Sequence, residues 1–159
     1  MMDEKRKLDP MDWAILRVLQ DDATLSVGAV GEKVGLSHNP CWRRIRRLED
    51  DGVIARRVAL LDPAKVGLAT TVFVAIRITR HDAAWLETFA SAVDAMDEVI
   101  ECHRMAGDID YMLKIRVRDI ADYDRIYQRL ISRVPGLSDV TASFSMEEMK
   151  FTTALPRPD

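Results

Sequence analysis

Within "LSHNPCWRRIRRLEDDGVI" four arginines, Arg43, Arg44, Arg46 and Arg47, occupy a five-residue stretch, preceded by His38 and Asn39. Guanidinium groups fixed along one helix can neutralise a run of phosphates. That is the chemistry a nucleic-acid backbone demands. His38, Asn39 and Arg43 stand near the start of the run, where a groove-reading helix meets base edges, so these three are candidates for base contacts. Arg44, Arg46 and Arg47 are candidates for phosphate contacts. The competing reading is an arginine run that only solvates an exposed face, partly neutralised by Glu49, Asp50 and Asp51.

The other reactive side chains form no obvious constellation. The two cysteines, Cys41 and Cys102, are far apart and lack a C-x-x-C spacing or a nearby histidine pair, so no metal site is expected. Cys102 beside His103 reads as a strand residue next to a half-exposed histidine. The three histidines, His38, His81 and His103, complete no set of acid, base and nucleophile, and the pair Asp108 and Asp110 has no evident catalytic partner. No enzyme activity and no cofactor are expected.

Helical periodicity positions the arginines. At 100° per residue, Cys41, Ile45 and Leu48 share a narrow arc; Arg43, Arg46 and Arg47 lie opposite, with Arg44 at the boundary. Ser37 is expected to cap this helix, with Pro40 in its first turn. Upstream, Ser26 is a candidate cap for a short helix with Val27, Val30 and Val34 on one face, and Gly35 can close it with a positive φ. The three-residue link from Gly35 to Ser37 gives helix-turn-helix spacing. Residues 9–20 supply a third helix, with Asp9 as cap, Pro10 at its first position, and Met11, Ile15, Val18 and Leu19 on one side.

After "GVIARRVALLDPAKVGL", expected to form a short hairpin or wing and then a linker broken by Pro63 and Gly67, the period changes. From Thr70 to Ile78, Val72, Val74, Ile76 and Ile78 alternate with Phe73, Ala75 and Arg77, which predicts a strand. Residues 83–96 return to helical spacing through Leu86, Phe89, Val93 and Met96. Strand-like runs at 98–106 and 110–118 flank the turn-forming "GDID". A helix is expected over 120–134, burying Tyr123, Tyr127, Leu130 and Val134. A last strand is expected over about 138–150, with Val140, Ala142, Phe144 and Met146 inward. The order is that of a ferredoxin-like βαββαβ domain. Its two helices cover one sheet face. The other, with Phe73, Ala75, Met112, Lys114 and Arg116, is mixed and could pack on a second copy, giving a dimer matched to a pseudo-palindromic site. The fold class is thus α+β, with a winged helix-turn-helix over 1–62 and a ferredoxin-like domain over 63–159.

With 159 residues, 48% hydrophobic and 31% charged, the composition is that of an ordinary soluble protein. The net charge of −3 excludes an argument from bulk basicity. Residues 1–62 hold 11 basic and 11 acidic side chains, leaving 12 and 15 for the remainder, so the cationic character is confined to one helix and the amino-terminal "KRK". A DNA contact would be patch-like and salt dependent. No membrane span or signal peptide is evident, and a cytoplasmic location is expected.

In combination, "LSHNPCWRRIRRLEDDGVI", "LLDPAKVGL", "GDIDYMLKIRVRD" and "MEEMKFTTALP" resemble the Lrp/AsnC family of transcriptional regulators, from about Leu8 to Pro156. "CWRRIRRLEDDGVI", "RMAGDIDYML" and "VPGLSDVTASFSMEEMKFTTALP" look most like its cysteine-responsive branch. The resemblance implies a sequence-specific regulator of double-stranded DNA, a homodimer that assembles into larger discs such as octamers, and a small amino-acid effector near the central hairpin. Residue by residue it implies an effector site of Met105, Ala106, Gly107, Asp108, Asp110 and Tyr111, with Ile120 and Tyr123 on the following helix. Asp108 or Asp110 would accept from the ammonium group, and backbone N–H groups around Gly107 would meet the carboxylate. The loop can equally be a plain hairpin turn. Two alternatives remain: a tetrapyrrole decarboxylase, which resembles the same superfamily, and an architectural DNA binder with no effector.

Overall fold

The computed structural model describes residues 7–79 and 82–158, so His81 lies outside the described residues. The chain divides into two compact units, Met1–Ala59 with Lys150–Asp159, and Leu60–Met149. The division expected after residue 62 therefore falls after Ala59, and the carboxy-terminal segment groups with the helices, not with the sheet. The Gln20 carboxamide explains this: its Oε1 accepts from Leu155 N at 2.6 Å, and its Nε2 donates to Leu155 O at 3.4 Å.

The first unit contains α1 (Pro10–Asp21), α2 (Val27–Val34) and α3 (His38–Asp50). Asp9 and Asp12 form a reciprocal cap on α1: Asp12 N donates to Asp9 Oδ1 at 2.8 Å and Asp9 N to Asp12 Oδ2 at 3.1 Å. Ser26 Oγ accepts from Ala29 N at 3.2 Å, and Gly35 closes α2 at φ 73°. Ser37 stands at the cap position of α3, but its side chain makes no capping bond. A capping serine accepts from the second or third helical N–H, and Pro40 at the third position removes one of these two donors.

Ile15, Leu16, Val30, Cys41, Ile45 and Leu48 form the core of this unit, as the helical wheel predicts for α3. Gly31 is also buried: a Cβ there would stand 2.6 Å from Leu36 O, so only glycine lets α2 lie this close to the turn. The hairpin expected after α3 is not formed. Residues 55–62 are irregular chain, with Val58, Leu60 and Leu61 exposed.

The second unit runs β1 (Thr70–Ile78), α4 (Ala83–Asp94), β2 (Val99–Arg104), β3 (Tyr111–Val117), α5 (Ile120–Arg133) and β4 (Leu137–Phe144). The sheet order is β2-β3-β1-β4 with every pair antiparallel, which is the expected βαββαβ topology. Val72, Val74, Ile76 and Ile78 of β1, with Leu113, Ile115 and Val117 of β3, are buried with the helices. On the opposite face Phe73 is 39% exposed, Lys114 Nζ reaches Glu101 at 2.9 Å and Arg116 reaches Glu148 at 3.0 Å.

Three side-chain expectations are corrected. On α4 the buried stripe is Trp85, Phe89 and Ala92, with Met96 just beyond the helix, and Leu86 is 41% exposed. Trp85 has more apolar surface to bury and satisfies its indole N–H on Pro135 O at 2.6 Å, which turns the helix by one position. On α5, Ile126 and Leu130 are buried, with Val134 just beyond, while Tyr123 and Tyr127 flank them half-buried. On β4 pairing ends at Phe144; Ser145 N still donates to Thr71 O at 2.9 Å, but β1 begins at Thr70 and offers Met146 no further ladder, leaving it 98% exposed.

Candidate functional site

The arginines of α3 split into three environments. Arg44 Nη1 donates to Asp9 Oδ2 at 2.6 Å and to Asp12 Oδ1 at 2.8 Å, and Arg47 Nη2 lies 2.5 Å from the same Asp12 oxygen. Asp12 is itself 1% exposed. The Arg44 guanidinium holds the Asp9 carboxyl below its ordinary range, helped by the Asp12 backbone N–H, and these carboxylates hold Arg44 charged. Arg46 lies 3.9 Å from Glu49 and 3.5 Å from Asp50, loose surface pairs that hold it weakly. Arg43 is exposed and has no ion pair among the described residues.

The outward arginine face expected from the sequence is therefore only partly free. Arg44 and Arg47 are oriented by α1, and Arg43 stands clear with His38 and Asn39, both exposed in the first turn. His38 Nδ1 and Asn39 Oδ1 are 3.4 Å apart. Sequence reasoning identified the arginines but missed Asp12 as their partner. The contact between α1 and α3 is tertiary and leaves no local signal. Arg57 was missed as well: it reaches Glu49 at 3.0 Å and Ala23 O at 3.3 Å, pinning the chain after α3 to that helix and to the turn between α1 and α2.

The second expected site divides in two. Asp110 is anchored to β1: its Oδ2 accepts from Ile78 N at 2.9 Å, and its N–H donates to Ile76 O at 2.9 Å. Met105 N closes the turn on Asp110 O at 2.8 Å, and Arg77 Nε donates to Asp108 O at 2.8 Å. Gly107 has φ 143°, a backbone conformation that favours glycine, with open space where a Cβ would point. Met105, Ala106, Gly107 and Asp108 are exposed. Tyr111 is not; its ring packs 4.5 Å from Phe89 and 5.8 Å from Trp85 in the core.

Ile120 and Tyr123 lie elsewhere. They follow the far end of β3, about 20 Å along the strand from the hairpin at ~3.3 Å per residue. Ile120 is 70% exposed, and Tyr123 packs edge-on against Phe144 at 5.4 Å. Burial, with Tyr127 and Asp124 nearby, pushes its phenol up. Within one chain, then, the expected effector residues do not converge. Two open cavities, of about 390 and 440 Å³, are lined by residues between Tyr127 and Val140 and between Val93 and Cys102, and neither lining includes a residue of the turn. Among the described residues no cluster of histidine, cysteine and carboxylate could hold a metal, and no helix is long and apolar enough to cross a membrane.

Two family models match: a winged helix-turn-helix DNA-binding model over residues 8–55 and the Lrp/AsnC ligand binding domain over 71–155. The chain is 56% identical to a glutamate uptake regulatory protein of Zymomonas mobilis over 97% of its own length and 93% of the relative's. It is 50% identical to the DNA-binding transcriptional activator DecR of Escherichia coli, over 94% and 98%. Among solved structures, an AsnC family transcriptional regulator from Agrobacterium tumefaciens superimposes with TM-score 0.91 at 52% identity, covering 94% and 97%. The regulator NMB0573 of Neisseria meningitidis, solved as a complex with L-Met, gives 0.89 at 35%, again covering 94% and 97%. With both models matched and relatives this similar over nearly the whole chain, the chain belongs to the Lrp/AsnC family of DNA-binding transcriptional regulators.

Proposed function

We propose that the chain reads a specific duplex site through α3 as a homodimer or a larger assembly such as an octamer, and that a small amino acid, cysteine first, modulates it from the sheet domain. The observation that carries the DNA assignment is Arg43, exposed and without an ion pair among the described residues, beside His38 and Asn39 at the start of α3. These three contact base edges. Arg46 contacts phosphate, and Arg44 and Arg47 turn the donors not engaged by carboxylates toward the backbone.

For the effector, the exposed turn of Met105, Ala106, Gly107 and Asp108 offers one half of a site and Ile120 with Tyr123 the other. A second copy brings the two halves together, as a symmetric assembly can. This supports an effector that binds between copies and acts by favouring one assembly geometry. Cysteine follows from the likeness of "RMAGDIDYML" to the cysteine-responsive branch. Methionine, bound by the Neisseria protein, is the second candidate.

The test is a thermal-shift screen against the twenty amino acids, with cysteine measured with and without reductant, followed by duplex binding with and without the hit. Stabilisation by one or a few amino acids that also changes duplex affinity is expected. Uniform behaviour across all twenty would remove the sensing role and favour an architectural binder.

A further inference from the structure

We infer that Trp42 is a specificity-determining residue of the reading helix, whose indole packs against the 5-methyl group of a thymine in the major groove, next to the base read by Arg43. The inference rests on the DNA-reading role of α3 proposed above.

Trp42 is 50% exposed, although an indole is among the largest apolar surfaces a protein can bury. The other two tryptophans are used by cores: Trp85 is buried with its N–H bonded to Pro135 O, and Trp13 packs partly buried against the helical core. Trp42 has no ring partner and no side-chain hydrogen bond among the described residues. At 100° per residue it sits on the shoulder of α3, 100° from Arg43 and in line with His38 and Arg46 one turn to either side. It is thus set in the first turns of the helix, among the groups that face outward.

The charge around it explains why an apolar reader matters. Asp9 and Asp12 hold two of the four arginines, and Arg46 is loosely paired along its own helix. Phosphate attraction is blind to sequence in any case. Discrimination must come from the few groups that meet base edges, and on an A·T pair the thymine methyl is the one apolar feature displayed in the major groove. A rigid indole flanked by hydrogen-bonding His38, Asn39 and Arg43 matches a thymine beside a polar base edge.

The full-length protein is used to select binding sites from a randomised duplex pool, in parallel with Trp42→Ala and Trp42→Phe. The best duplex is then resynthesised with each thymine replaced in turn by deoxyuridine, which lacks only the methyl. The parent is expected to lose about fourfold in affinity at one thymine per half-site, the worth of one buried methyl group. Trp42→Ala should bind thymine and uracil duplexes equally and lose the thymine preference at that position alone, while Trp42→Phe keeps it. Uracil tolerated at every position by the parent overturns the inference without reference to any variant. So does a Trp42→Ala protein that retains the parent's motif and thymine preference, including one whose sedimentation changes, since Trp42 would then be a contact between copies. A parent that enriches no sequence refutes the DNA-reading role itself, an outcome distinct from the other two.

Discussion

The Arg47 guanidinium lies 2.5 Å from Asp12 Oδ1, joining the last turn of α3 to a carboxylate that is almost wholly buried at the start of α1. Arg44 shares the same oxygen at 2.8 Å. Apolar contacts of Cys41, Ile45 and Leu48 fix which side of α3 faces inward but are tolerant of small rotations. Two guanidiniums on one carboxylate are not, so the direction in which Arg43, His38 and Asn39 point is set from α1.

Asp12→Asn should therefore weaken the helical unit. An amide retains the capping oxygen but removes the charge that both arginines face. Because those arginines are about one-third exposed and can recover water, the cost is expected at about 1–3 kcal/mol, below that of a fully buried pair. Urea denaturation followed by far-UV circular dichroism measures it. An unchanged midpoint would show that the ion pairs contribute no net stability.

Acid should act on the same cluster. The hydrogen bond from Arg44 holds Asp9 below its ordinary pKa, so the folded state favours the charged form. Its stabilisation is present above the unfolded carboxylate range and is lost as pH falls below about 4. Asp122, held low first by Arg118 and also by Arg125, has the same sign in the sheet domain. Asp9→Asn, still able to cap α1, should flatten the acid-side loss of the helical unit and leave that of the sheet unit in place. Equal pH profiles for parent and variant would exclude Asp9 as a contributor.

Salt dependence separates the arginines. Arg46→Ala should leave stability within about 0.5 kcal/mol, as for an exposed side chain, and reduce the slope of log K against log salt by about one, as for a phosphate contact that releases one counterion. Arg47→Ala should also lower stability, because it removes a partner of Asp12. Should the two variants match in both stability and salt slope, the division of the arginine face is mistaken.

Local periodicity made most of the fold legible. The caps at Asp9 and Ser26, the left-handed Gly35, the apolar side of α3 and the alternation of β1 all follow from neighbours within a turn or two. What escaped depends on distant partners. Leu86 and Trp85 fit a helical stripe equally well until Pro135 O is placed beside the indole. The end of β4 is set by where β1 begins, and the pairing of Asp12 with Arg44 and Arg47 depends on another helix. At the hairpin, the resemblance supplied candidate residues, and the length of β3 keeps Ile120 and Tyr123 apart from the turn within one chain.

Gly31 was not singled out by the sequence at all, since a glycine inside an eight-residue helix carries only a propensity penalty there. With a Cβ directed at a backbone carbonyl 2.6 Å away, Gly31→Ala should destabilise the helical unit by about 1–3 kcal/mol, despite alanine's better helix propensity. Thermal denaturation should show a lower midpoint. A higher one would mean the turn at Leu36 yields without cost.

The hairpin variants test sensing separately from folding. Asp110 and Asp108 are two residues apart and chemically identical, yet the first has its carboxylate on the Ile78 N–H, whereas the second contributes its backbone carbonyl to Arg77. Asp110→Ala should leave a strand N–H without its acceptor and cost the sheet domain about 1–3 kcal/mol. Asp108→Ala should leave stability and effector-free DNA affinity close to the parent's while abolishing the amino-acid response, because it removes the candidate ammonium acceptor. Gly107→Arg should abolish the response too. Its Cβ meets open space in one chain, so its effect comes from the strained φ of 143° and from bulk placed where a second copy would approach. Calorimetric titration of the parent and the three variants, read with their sedimentation profiles, decides the matter. Undiminished amino-acid binding by both Asp108→Ala and Gly107→Arg would remove this turn from the sensor, and loss of effector-free DNA binding in Asp108→Ala would make the turn structural.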